Sequence, residues 1–417
     1  MTATSPPMTV PGDKSIAHRA LMLAALARGE SRLFNLPAGL DVRSTQHALR
    51  ALGVAMRRDG GALVVSGSGG TLVAPLAPID CGNSGTTIRL LAGLLATRAI
   101  VVTLDGDASL RARPMRRVAA PLAAFGARIE LSPYGTAPLR VHGNGDARGA
   151  AVPIEVASAQ VKSAVLFAAL GAHGTTRLTG LLGTRDHTER LFGAFGVRCA
   201  YDGDALVVDG PQVPTATELH VPGDLSSAAF LLAAAAAVPG ARATLDDVGL
   251  NPTRTAFLDV LRRFGARVAV EVTNPGPEPR GRVSVQGAPL QAIDIAPDEV
   301  PGLIDELPLV GVLGAFAYGT TTISGAAELR LKESDRIETF ARAARALGAE
   351  VETAPDGFSV HGPAALHAGA VVTAGDHRIA MAFAVAGHAA GIDVQLDDPA
   401  CMAVSFPGFA HALGGVR

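Results

Sequence analysis

Positively charged side chains recur at the starts of the apolar helical segments of this sequence. Lys14 and Arg19 form the first pair, and the others are Arg89, Arg111, Arg113, Lys162, Arg185, Lys332, Arg336 and Arg378. Arginine forms forked hydrogen bonds with phosphate and carboxylate groups, and lysine provides a point charge. The free N–H groups at a helix N-terminus also attract anions. The pattern predicts a site for small substrates that carry several phosphate or carboxylate groups.

Two acidic segments supply candidates for proton transfer at such a site. Asp305 and Glu306 stand at the start of an apolar helical segment, where a carboxylate that faces a cation-lined cleft can accept a proton. Glu333 lies in the charge-dense segment 330–336. Taken alone, that segment is equally typical of an exposed helix start, so the residue types leave the role of Glu333 open.

Other polar residues near these segments have two readings. Arg89 and Lys162 lie inside apolar helical segments, where a buried structural ion pair and a ligand contact are equally consistent with the sequence. His18, His187 and His377 stand beside the same segments, but a single histidine is more often a hydrogen-bonded structural residue. Since none has metal-ligand spacing with another His or Cys, we expect no metal site.

The sequence repeats one pattern six times, and this repeat must position the charged residues. Each copy has a loop with Gly, Ser or Asp, an apolar helix, a glycine and a strand; the copies start near Gly12, Gly82, Ala157, Gly223, Ile304 and Gly375. A Leu-Gly or Phe-Gly helix end, followed by a hairpin pattern, recurs with a period of about 70 residues. The repeat predicts an α/β fold of six similar units.

The tetrapeptide Val-Pro-Gly-Asp occurs twice, at residues 10–13 and 221–224. The two copies enclose about half of the repeats, which predicts two lobes joined by two crossovers. One lobe is then discontinuous, with residues 1–13 plus 222–417, and residues 14–221 form an inserted lobe. We expect the helix starts to converge on a cleft between the lobes, with the Pro-Gly pairs as hinges. The alternative is that both copies are simple turns before helices.

Composition excludes several classes of protein. The chain has 417 residues, of which 48% are hydrophobic, so it can bury a large core. A net charge of −2 gives no reason to expect nucleic acid or an acidic membrane as a partner. The three cysteines lack metal-ligand spacing, the apolar stretches are too short to cross a bilayer, and the first motif begins by Pro11. We therefore expect a cytoplasmic protein that acts on small molecules.

Seven motifs together resemble the EPSP synthase (3-phosphoshikimate 1-carboxyvinyltransferase) family of enolpyruvyl transferases. They occupy residues 10–19, 82–89, 110–115, 158–164, 185–189, 331–336 and 375–381, in the order that the family has. The resemblance implies two lobes of three βαβαββ units each. It also implies transfer of the carboxyvinyl group of phosphoenolpyruvate to the 5-hydroxyl of 3-phosphoshikimate, by addition and elimination, with release of phosphate. This step belongs to the shikimate pathway to chorismate, and the family works without metal or organic cofactor. A monomer is the expected state for this architecture.

The resemblance assigns roles to individual residues. Those implied to contact 3-phosphoshikimate are Lys14, Ser15, Arg19, Ser158, Ala159, Gln160, Arg185, Asp305 and Lys332. Those implied to contact phosphoenolpyruvate are Lys14, Gly85, Arg113, Gln160, Arg336 and Arg378. Asp305 resembles the proton acceptor for the 5-hydroxyl. Glu333 is implied as the proton donor to the enol carbon, with Lys14 as its competitor.

The sequence departs from the family pattern at one cationic position. Some members have a lysine shortly before the final Phe-Pro, where this chain has Val404, so one contact to the phosphate of phosphoenolpyruvate is missing or comes from elsewhere. At Gly85 no methyl group intrudes on the phosphoenolpyruvate pocket. We therefore expect competitive inhibition by glyphosate, which resembles that ligand.

Two alternatives differ in class. The sister carboxyvinyl transferase, which acts on UDP-N-acetylglucosamine, shares the fold but typically has a reactive cysteine where this chain has residues 111–115, and no cysteine lies there. A non-catalytic anion-binding protein would keep the cations without needing an acid and a base. The presence of both Asp305 and Glu333 favours an enzyme.

Overall fold

The structure, a computed structural model, describes residues 8–416. The chain forms two compact units. One is a single segment of the sequence, and the other is made of two segments. The inserted unit is Gly12–Val221, and the discontinuous unit combines the residues up to Pro11 with those from Pro222 onward. The chain therefore changes units next to each copy of Val-Pro-Gly-Asp.

The inserted unit alternates helices with short strands. Its helices are α1 (Lys14–Leu26), α2 (Leu40–Ala51), α3 (Gly85–Ala96), α4 (Ala108–Arg111), α5 (Arg116–Leu122), α6 (Ala159–Ala169) and α7 (His187–Ala194). Its strands are β1 (Glu30–Phe34), β2 (Ala55–Asp59), β3 (Ala62–Ser66), β4 (Ile79–Asp80), β5 (Val101–Asp105), β6 (Arg128–Glu130), β7 (Leu139–His142), β8 (Ala151–Ile154), β9 (Gly174–Gly180), β10 (Ala200–Asp202), β11 (Ala205–Gly210) and β12 (Glu218–His220).

These strands form three four-stranded sheets with one pairing scheme. The strand orders are β12-β1-β3-β2, β4-β5-β7-β6 and β8-β9-β11-β10. In each sheet the first two strands are parallel and the remaining pairs are antiparallel. The parallel partner of β1 is β12, the last strand of the unit, so the two ends of the inserted segment lie side by side.

Three helices form the centre of the inserted unit. Helices α1, α3 and α6 are buried along almost their whole length, and their apolar side chains join one hydrophobic cluster with the inner faces of the sheets. Helices α3 and α6 approach closely at Gly93, where a Cβ atom would lie 2.1 Å from the carbonyl oxygen of Ala164. Glycine is therefore required there, and the contact fixes the two helix starts relative to each other.

The discontinuous unit has the same kinds of element. Its helices are α8 (Leu225–Ala237), α9 (Ala256–Phe264), α10 (Val300–Leu303), α11 (Leu307–Phe316), α12 (Arg336–Ala346), α13 (His377–Ala390) and α14 (Phe409–Leu413). Its strands are β13 (Arg242–Gly249), β14 (Arg267–Asn274), β15 (Arg280–Gln286), β16 (Asp294–Ile295), β17 (Gly319–Ile323), β18 (Glu350–Ala354), β19 (Gly357–Gly362), β20 (Gly369–Val371) and β21 (Val394–Leu396).

The sheets of this unit have three, four and two strands, in the orders β13-β15-β14, β16-β17-β19-β18 and β20-β21. Met8 forms an isolated parallel bridge with Leu245 of β13, at the place where the other sheets have a parallel strand. Helices α8, α11 and α13 are buried and form the core of the unit. The predicted α/β class is confirmed; the count of six equal units stays a prediction, since the last copy contains only a parallel pair.

Polar caps explain why the helices begin at the conspicuous loops of the sequence. The capping residues are Asp13, Ser84, Ser158, Asp224, Asp335 and Asp376, and each accepts a hydrogen bond from a backbone N–H two or three residues further on. Such a bond satisfies one of the donors that a helix start leaves unpaired. Within residues 8–416, no helix is long and apolar enough to cross a membrane.

Candidate active site

The start of α1 carries the first predicted cations. Lys14 Nζ donates a hydrogen bond of 2.7 Å to Asp41 Oδ2, and both side chains are only partly exposed. Arg19 is buried one turn further on, and its guanidinium donates to Ser15 O, Thr188 Oγ1 and Ser163 Oγ at 2.7–2.8 Å. These contacts tie α1 to α6 and α7. The described contacts of Arg19 therefore favour a positioning role, and its predicted contact with substrate stays a prediction.

Two arginines lie together at the start of α3. A Cβ atom at Gly85 would lie 2.6 Å from Arg89 Nη1 and 3.2 Å from Arg113 Nη1, so two nearly buried guanidinium groups face this glycine. Arg89 Nη1 donates to Gln160 Oε1 at 2.8 Å, and Arg113 Nη2 donates to Asn83 Oδ1 at 2.6 Å. Together with the helix N-terminus, the two arginines make a strong site for an anion.

The structure distinguishes the roles of Arg89 and Lys162, which the sequence left open. Arg89 lies at the Gly85 site and belongs to it. Lys162 is buried and donates to the carbonyl oxygens of Leu182 and Thr184 at 3.1 Å each, while its ammonium group lies 2.7 Å from Glu189 Oε1. Lys162 is thus a structural cation that holds the loop before Arg185.

The remaining predicted residues of this unit lie at the edges of these groups. Ser158, Ala159 and Gln160 form the half-buried start of α6, and Arg185 is half-buried in the loop before α7. Arg111 differs, because its exposed guanidinium makes two hydrogen bonds with Asp105 of β5. That pair is a surface ion pair, so Arg111 does not add a cation to the Gly85 site.

A buried chain of polar side chains links the starts of α1 and α3. His18 Nδ1 lies 2.7 Å from Thr45 Oγ1, which lies 2.7 Å from Thr87 Oγ1, and the Thr87 hydroxyl donates to Ser84 Oγ. Burial lowers the pKa of His18 to about 3. His18 is therefore neutral at physiological pH and acts as a hydrogen-bonding group, as the sequence predicted.

The pKa of His18 predicts an acid-sensitive stability. Between pH 3 and 6.5 the unfolded chain binds one proton more than the folded chain at this residue. The free energy of unfolding is therefore unaffected by this group above pH 6.5 and decreases as the pH falls below that value. In His18→Asn, which keeps an acceptor near Nδ1, the free energy of unfolding should lose this dependence, which is about 1.4 kcal/mol per pH unit. Urea unfolding of both proteins at pH 5 to 8 measures the slopes. Parallel slopes below pH 6.5 would contradict the assignment.

The discontinuous unit brings together four of its predicted residues, which are Asp305, Glu333, Arg336 and Arg378, with Asp376 beside them. Arg336 is 1% exposed and donates to Asp376 Oδ2 at 2.8 Å through Nε and to Glu333 Oε2 at 2.6 Å through Nη2. Its Nη1 lies 3.7 Å from Asp305 Oδ1 and has no hydrogen-bond partner among residues 8–416. On the other side of Asp305, Arg378 Nη2 lies 3.8 Å from Oδ2, so the carboxylate stands between two guanidinium groups.

The charges of this group stabilise one another. Burial alone would lower the pKa of Arg336, but the carboxylates of Asp376 and Glu333 raise it above its ordinary value. Burial alone would raise the pKa of Asp376, but Arg336 holds it below its ordinary value. Both groups are therefore ionised at neutral pH. Asp376 was recognised in the sequence only as part of a repeated loop, and its spacing gave no sign that it would hold Arg336.

Lys332 and Val404 complete the predicted set. Lys332 is half-buried directly after the 3-10 helix Ala327–Leu331, beside Glu333. Val404 ends the 3-10 helix Pro399–Val404 and is also half-buried. Within residues 8–416, no group of three or more His, Cys, Asp or Glu side chains is arranged to hold a metal ion.

Solved structures with the same fold include enolpyruvyl transferases. Over 99% of this chain and 96% of the other, the fold matches that of the enolpyruvyl transferase NikO from Streptomyces tendae with a TM-score of 0.76. At 18% identity this likeness concerns the fold alone. An EPSP synthase from Acinetobacter baumannii matches with a TM-score of 0.85 and 37% identity, over 98% of this chain and 95% of that one.

The family follows from the sequence matches. The family model for EPSP synthase (3-phosphoshikimate 1-carboxyvinyltransferase) matches residues 3–413. A 3-phosphoshikimate 1-carboxyvinyltransferase from Xanthomonas campestris pv. campestris is 48% identical over 411 residues, which cover 98% of this chain and 94% of that protein. One from Halorhodospira halophila is 48% identical over 407 residues, covering 97% and 92%. The chain belongs to the EPSP synthase family, as the motifs predicted.

Proposed function

We propose that this protein transfers the carboxyvinyl group of phosphoenolpyruvate to the 5-hydroxyl of 3-phosphoshikimate and releases phosphate. The observation that carries the proposal is the position of Asp305, whose carboxylate lies 3.7 and 3.8 Å from the guanidinium groups of Arg336 and Arg378. A carboxylate can take the hydroxyl proton, and two arginines can hold the anionic partner beside it. The product, 5-enolpyruvylshikimate 3-phosphate, leads to chorismate in the shikimate pathway.

Each unit contributes a distinct part of the chemistry. Both substrates are anions, so bringing them together requires concentrated positive charge to offset their repulsion. In the inserted unit, Lys14, Arg89 and Arg113 supply this charge, together with the N-terminus of α3. In the discontinuous unit, Arg336 and Arg378 supply it, and the carboxylates of Asp305 and Glu333 supply groups for proton transfer.

The assignments to each substrate follow the family motifs. Lys14, Ser15, Arg19, Ser158, Ala159, Gln160, Arg185, Asp305 and Lys332 bind 3-phosphoshikimate in this proposal. Lys14, Gly85, Arg113, Gln160, Arg336 and Arg378 bind phosphoenolpyruvate. Glu333 and Lys14 remain the two candidates for protonation of the enol carbon. Glu333 accepts a 2.6 Å hydrogen bond from Arg336, and Lys14 donates one of 2.7 Å to Asp41, so each is already engaged with a residue of its own unit.

Phosphate release by the purified protein tests the proposal. With 3-phosphoshikimate and phosphoenolpyruvate together we expect sustained release, and with either substrate alone we expect none. Proton NMR should show the enol ether of the product in the first mixture only. Release from phosphoenolpyruvate with UDP-N-acetylglucosamine instead would assign the sister activity, and no release from any mixture would favour a non-catalytic binding protein.

The cysteines favour 3-phosphoshikimate rather than UDP-N-acetylglucosamine as the acceptor. The sister family typically uses a reactive cysteine, and reactivity requires a thiolate. Cys81 is buried, and burial raises the pKa of its thiol above the ordinary value. Burial also raises the pKa of Cys199 to about 12 and that of Cys401 to about 11. All three thiols are therefore protonated at neutral pH.

Inhibition by glyphosate provides a test of the Gly85 site. A methyl group in Gly85→Ala would displace the guanidinium groups of Arg89 and Arg113, which face this position. We expect the inhibition constant for glyphosate, measured against phosphoenolpyruvate, to rise about 10- to 100-fold, since one methyl group changes discrimination by that order. Gly193→Ala is the control, because a Cβ atom there meets open space. Unchanged inhibition in Gly85→Ala would remove Gly85 from the phosphoenolpyruvate pocket.

Location and assembly are expectations of the same proposal. We expect a cytoplasmic enzyme. We also expect a monomer, the default for this architecture, whose partners are small molecules rather than nucleic acid. Sedimentation equilibrium across a range of protein concentrations measures the state of assembly.

A further inference from the structure

A second buried cluster lies behind Arg378 in the discontinuous unit. The Glu306 cluster consists of Asp224, Ser226, Arg254 and Glu306, all of them at most 8% exposed. Its members come from the start of α8, the segment before α9 and the residue before α11. The family motifs assign no role to any of them, although the sequence also offered Glu306, beside Asp305, as a candidate proton acceptor. The cluster is therefore unexplained by the proposed chemistry alone.

The carboxylate of Glu306 is held by the other members of the cluster. Ser226 Oγ donates a hydrogen bond to Glu306 Oε1, and Arg254 Nη2 donates one to Ser226 Oγ. Arg254 Nη2 also lies 3.9 Å from Glu306 Oε1 and 3.8 Å from Asp224 Oδ1. The serine hydroxyl thus bridges a cation and an anion, which leaves Glu306 little freedom of rotation.

The same carboxylate oxygen, Glu306 Oε1, also faces Arg378. Arg378 Nη1 lies 3.7 Å from Glu306 Oε1 and donates a 3.0 Å hydrogen bond to the carbonyl oxygen of Asp305. Both contacts act on the same nitrogen, while Nη2 lies 3.8 Å from the Asp305 carboxylate. The hydrogen bond to Asp305 O and the charge of Glu306 both act on Nη1, so they favour one direction of the guanidinium plane. Arg378 is 8% exposed, so little solvent competes with these contacts.

The side chain of Glu306 does not cap the helix that it precedes. Glu306 stands at the residue before α11, a position at which shorter polar side chains accept a bond from a backbone N–H. It makes no such capping bond. Its backbone instead fixes the turn, because its N–H donates to Leu303 O at 2.8 Å and its carbonyl accepts from Leu309 and Val310 at 2.9 and 3.0 Å. The side chain is thereby directed toward Ser226 and Arg378.

We infer that Glu306 is a positioning residue, which acts through Arg378 to set the affinity for the carboxylate or phosphate group of phosphoenolpyruvate. The inference rests on the proposed function, because it assigns Arg378 to that substrate. An arginine that is held in place loses less side-chain entropy when it binds an anion. Removal of the charge of Glu306 should therefore weaken binding of phosphoenolpyruvate and leave binding of 3-phosphoshikimate unchanged.

Steady-state kinetics of Glu306→Gln test this split. Glutamine keeps an acceptor for Ser226 but removes the charge that faces Arg378. We expect KM for phosphoenolpyruvate to rise about tenfold and KM for 3-phosphoshikimate to stay within a factor of about two. Ser226→Ala should act in the same direction. Ser227→Ala is the matched control, since Ser227 is the next residue of α8, is equally buried and donates to Asp224 rather than to Glu306.

A double-variant cycle separates action through Arg378 from a general structural effect. In Arg378→Lys, addition of Glu306→Gln should change KM for phosphoenolpyruvate by less than a factor of about two, because coupled residues are not additive. Multiplication of the two single effects would overturn the inference, and so would an equal rise of both KM values in Glu306→Gln. If the wild type releases no phosphate, the proposed function is wrong. The effect of Glu306 on the mobility of Arg378 can still be measured, because that measurement needs no activity.

That measurement uses NMR of the protein without ligand. The order parameter of the Arg378 Nε–Hε group, assigned by the signal lost in Arg378→Lys, should fall in Glu306→Gln and in Ser226→Ala and stay constant in Ser227→Ala. An unchanged order parameter in folded Glu306→Gln or Ser226→Ala would overturn the inference, whatever the activity.

Discussion

Replacement of Asp305 by asparagine is expected to slow phosphate release by a factor of about 10² to 10⁴, the usual contribution of a general base. Asparagine has the same shape as aspartate and keeps an oxygen near Arg336 and Arg378, but its amide cannot take the proton of the 5-hydroxyl. The effect should therefore appear in kcat, with much smaller changes in either KM. Stopped-time phosphate assays at saturating concentrations of both substrates measure it.

The control for this variant is Asp298→Asn. Asp298 is an exposed aspartate of the same unit, so the substitution makes the same chemical change outside the site. We expect its kcat to equal that of the wild type. A loss of less than tenfold in Asp305→Asn would mean that another group accepts the proton. Equal losses in both variants would mean that the effect is structural.

The positions of the helix starts were predictable because their cause is local. A loop residue such as Ser84 or Asp376 caps the helix that follows it, and this depends on neighbours two or three residues away. The cations of the motifs follow these caps directly. Their location at helix starts was therefore visible in the sequence.

Contacts between distant segments were not predictable in this way. Strand β12 pairs with β1 although Glu218 and Arg32 are far apart in the chain, and no local pattern records this partner. The Glu306 cluster has the same character, because Ser226 lies in α8 and Glu306 lies directly before α11, far along the chain. A polar residue beside an apolar segment shows only that some partner exists, since burial without one is costly.

Arg89 and Lys162 show where residue type alone reaches its limit. Both are cations within apolar helices, and both are at most 5% exposed. Their difference lies in their partners. Lys162 lies 2.7 Å from Glu189 Oε1 and donates to the carbonyl oxygens that precede Arg185, whereas Arg89 faces Gly85 and donates to Gln160. Only the arrangement of α3, α6 and the loop before α7 separates a structural cation from a site residue.

Replacement of Arg336 by methionine is expected to lower the free energy of unfolding by about 3 to 5 kcal/mol, because it leaves buried carboxylates without their cation. The nearest are Asp376, which is fully buried, and Glu333. The loss should depend on pH. Arg336 holds the pKa of Asp376 below its ordinary value, so the stabilisation is present above the unfolded pKa of about 4 and is lost as the pH falls through the folded pKa.

In Arg336→Met the pKa of Asp376 shifts in the opposite direction, because burial without a cation raises it. The pH dependence that this group gives to stability therefore changes sign. The variant gains stability when this carboxyl group takes up a proton, so the difference from the wild type should widen as the pH rises from 5 to 8. Urea unfolding across that range measures it, with the exposed Arg262→Met as a control expected to change little, because Arg262 forms a surface ion pair with Asp259. Arg336→Met combined with Asp376→Asn should recover part of the loss. A pH-independent difference, or no recovery, would show that Arg336 stabilises the unit by packing rather than by neutralising buried charge.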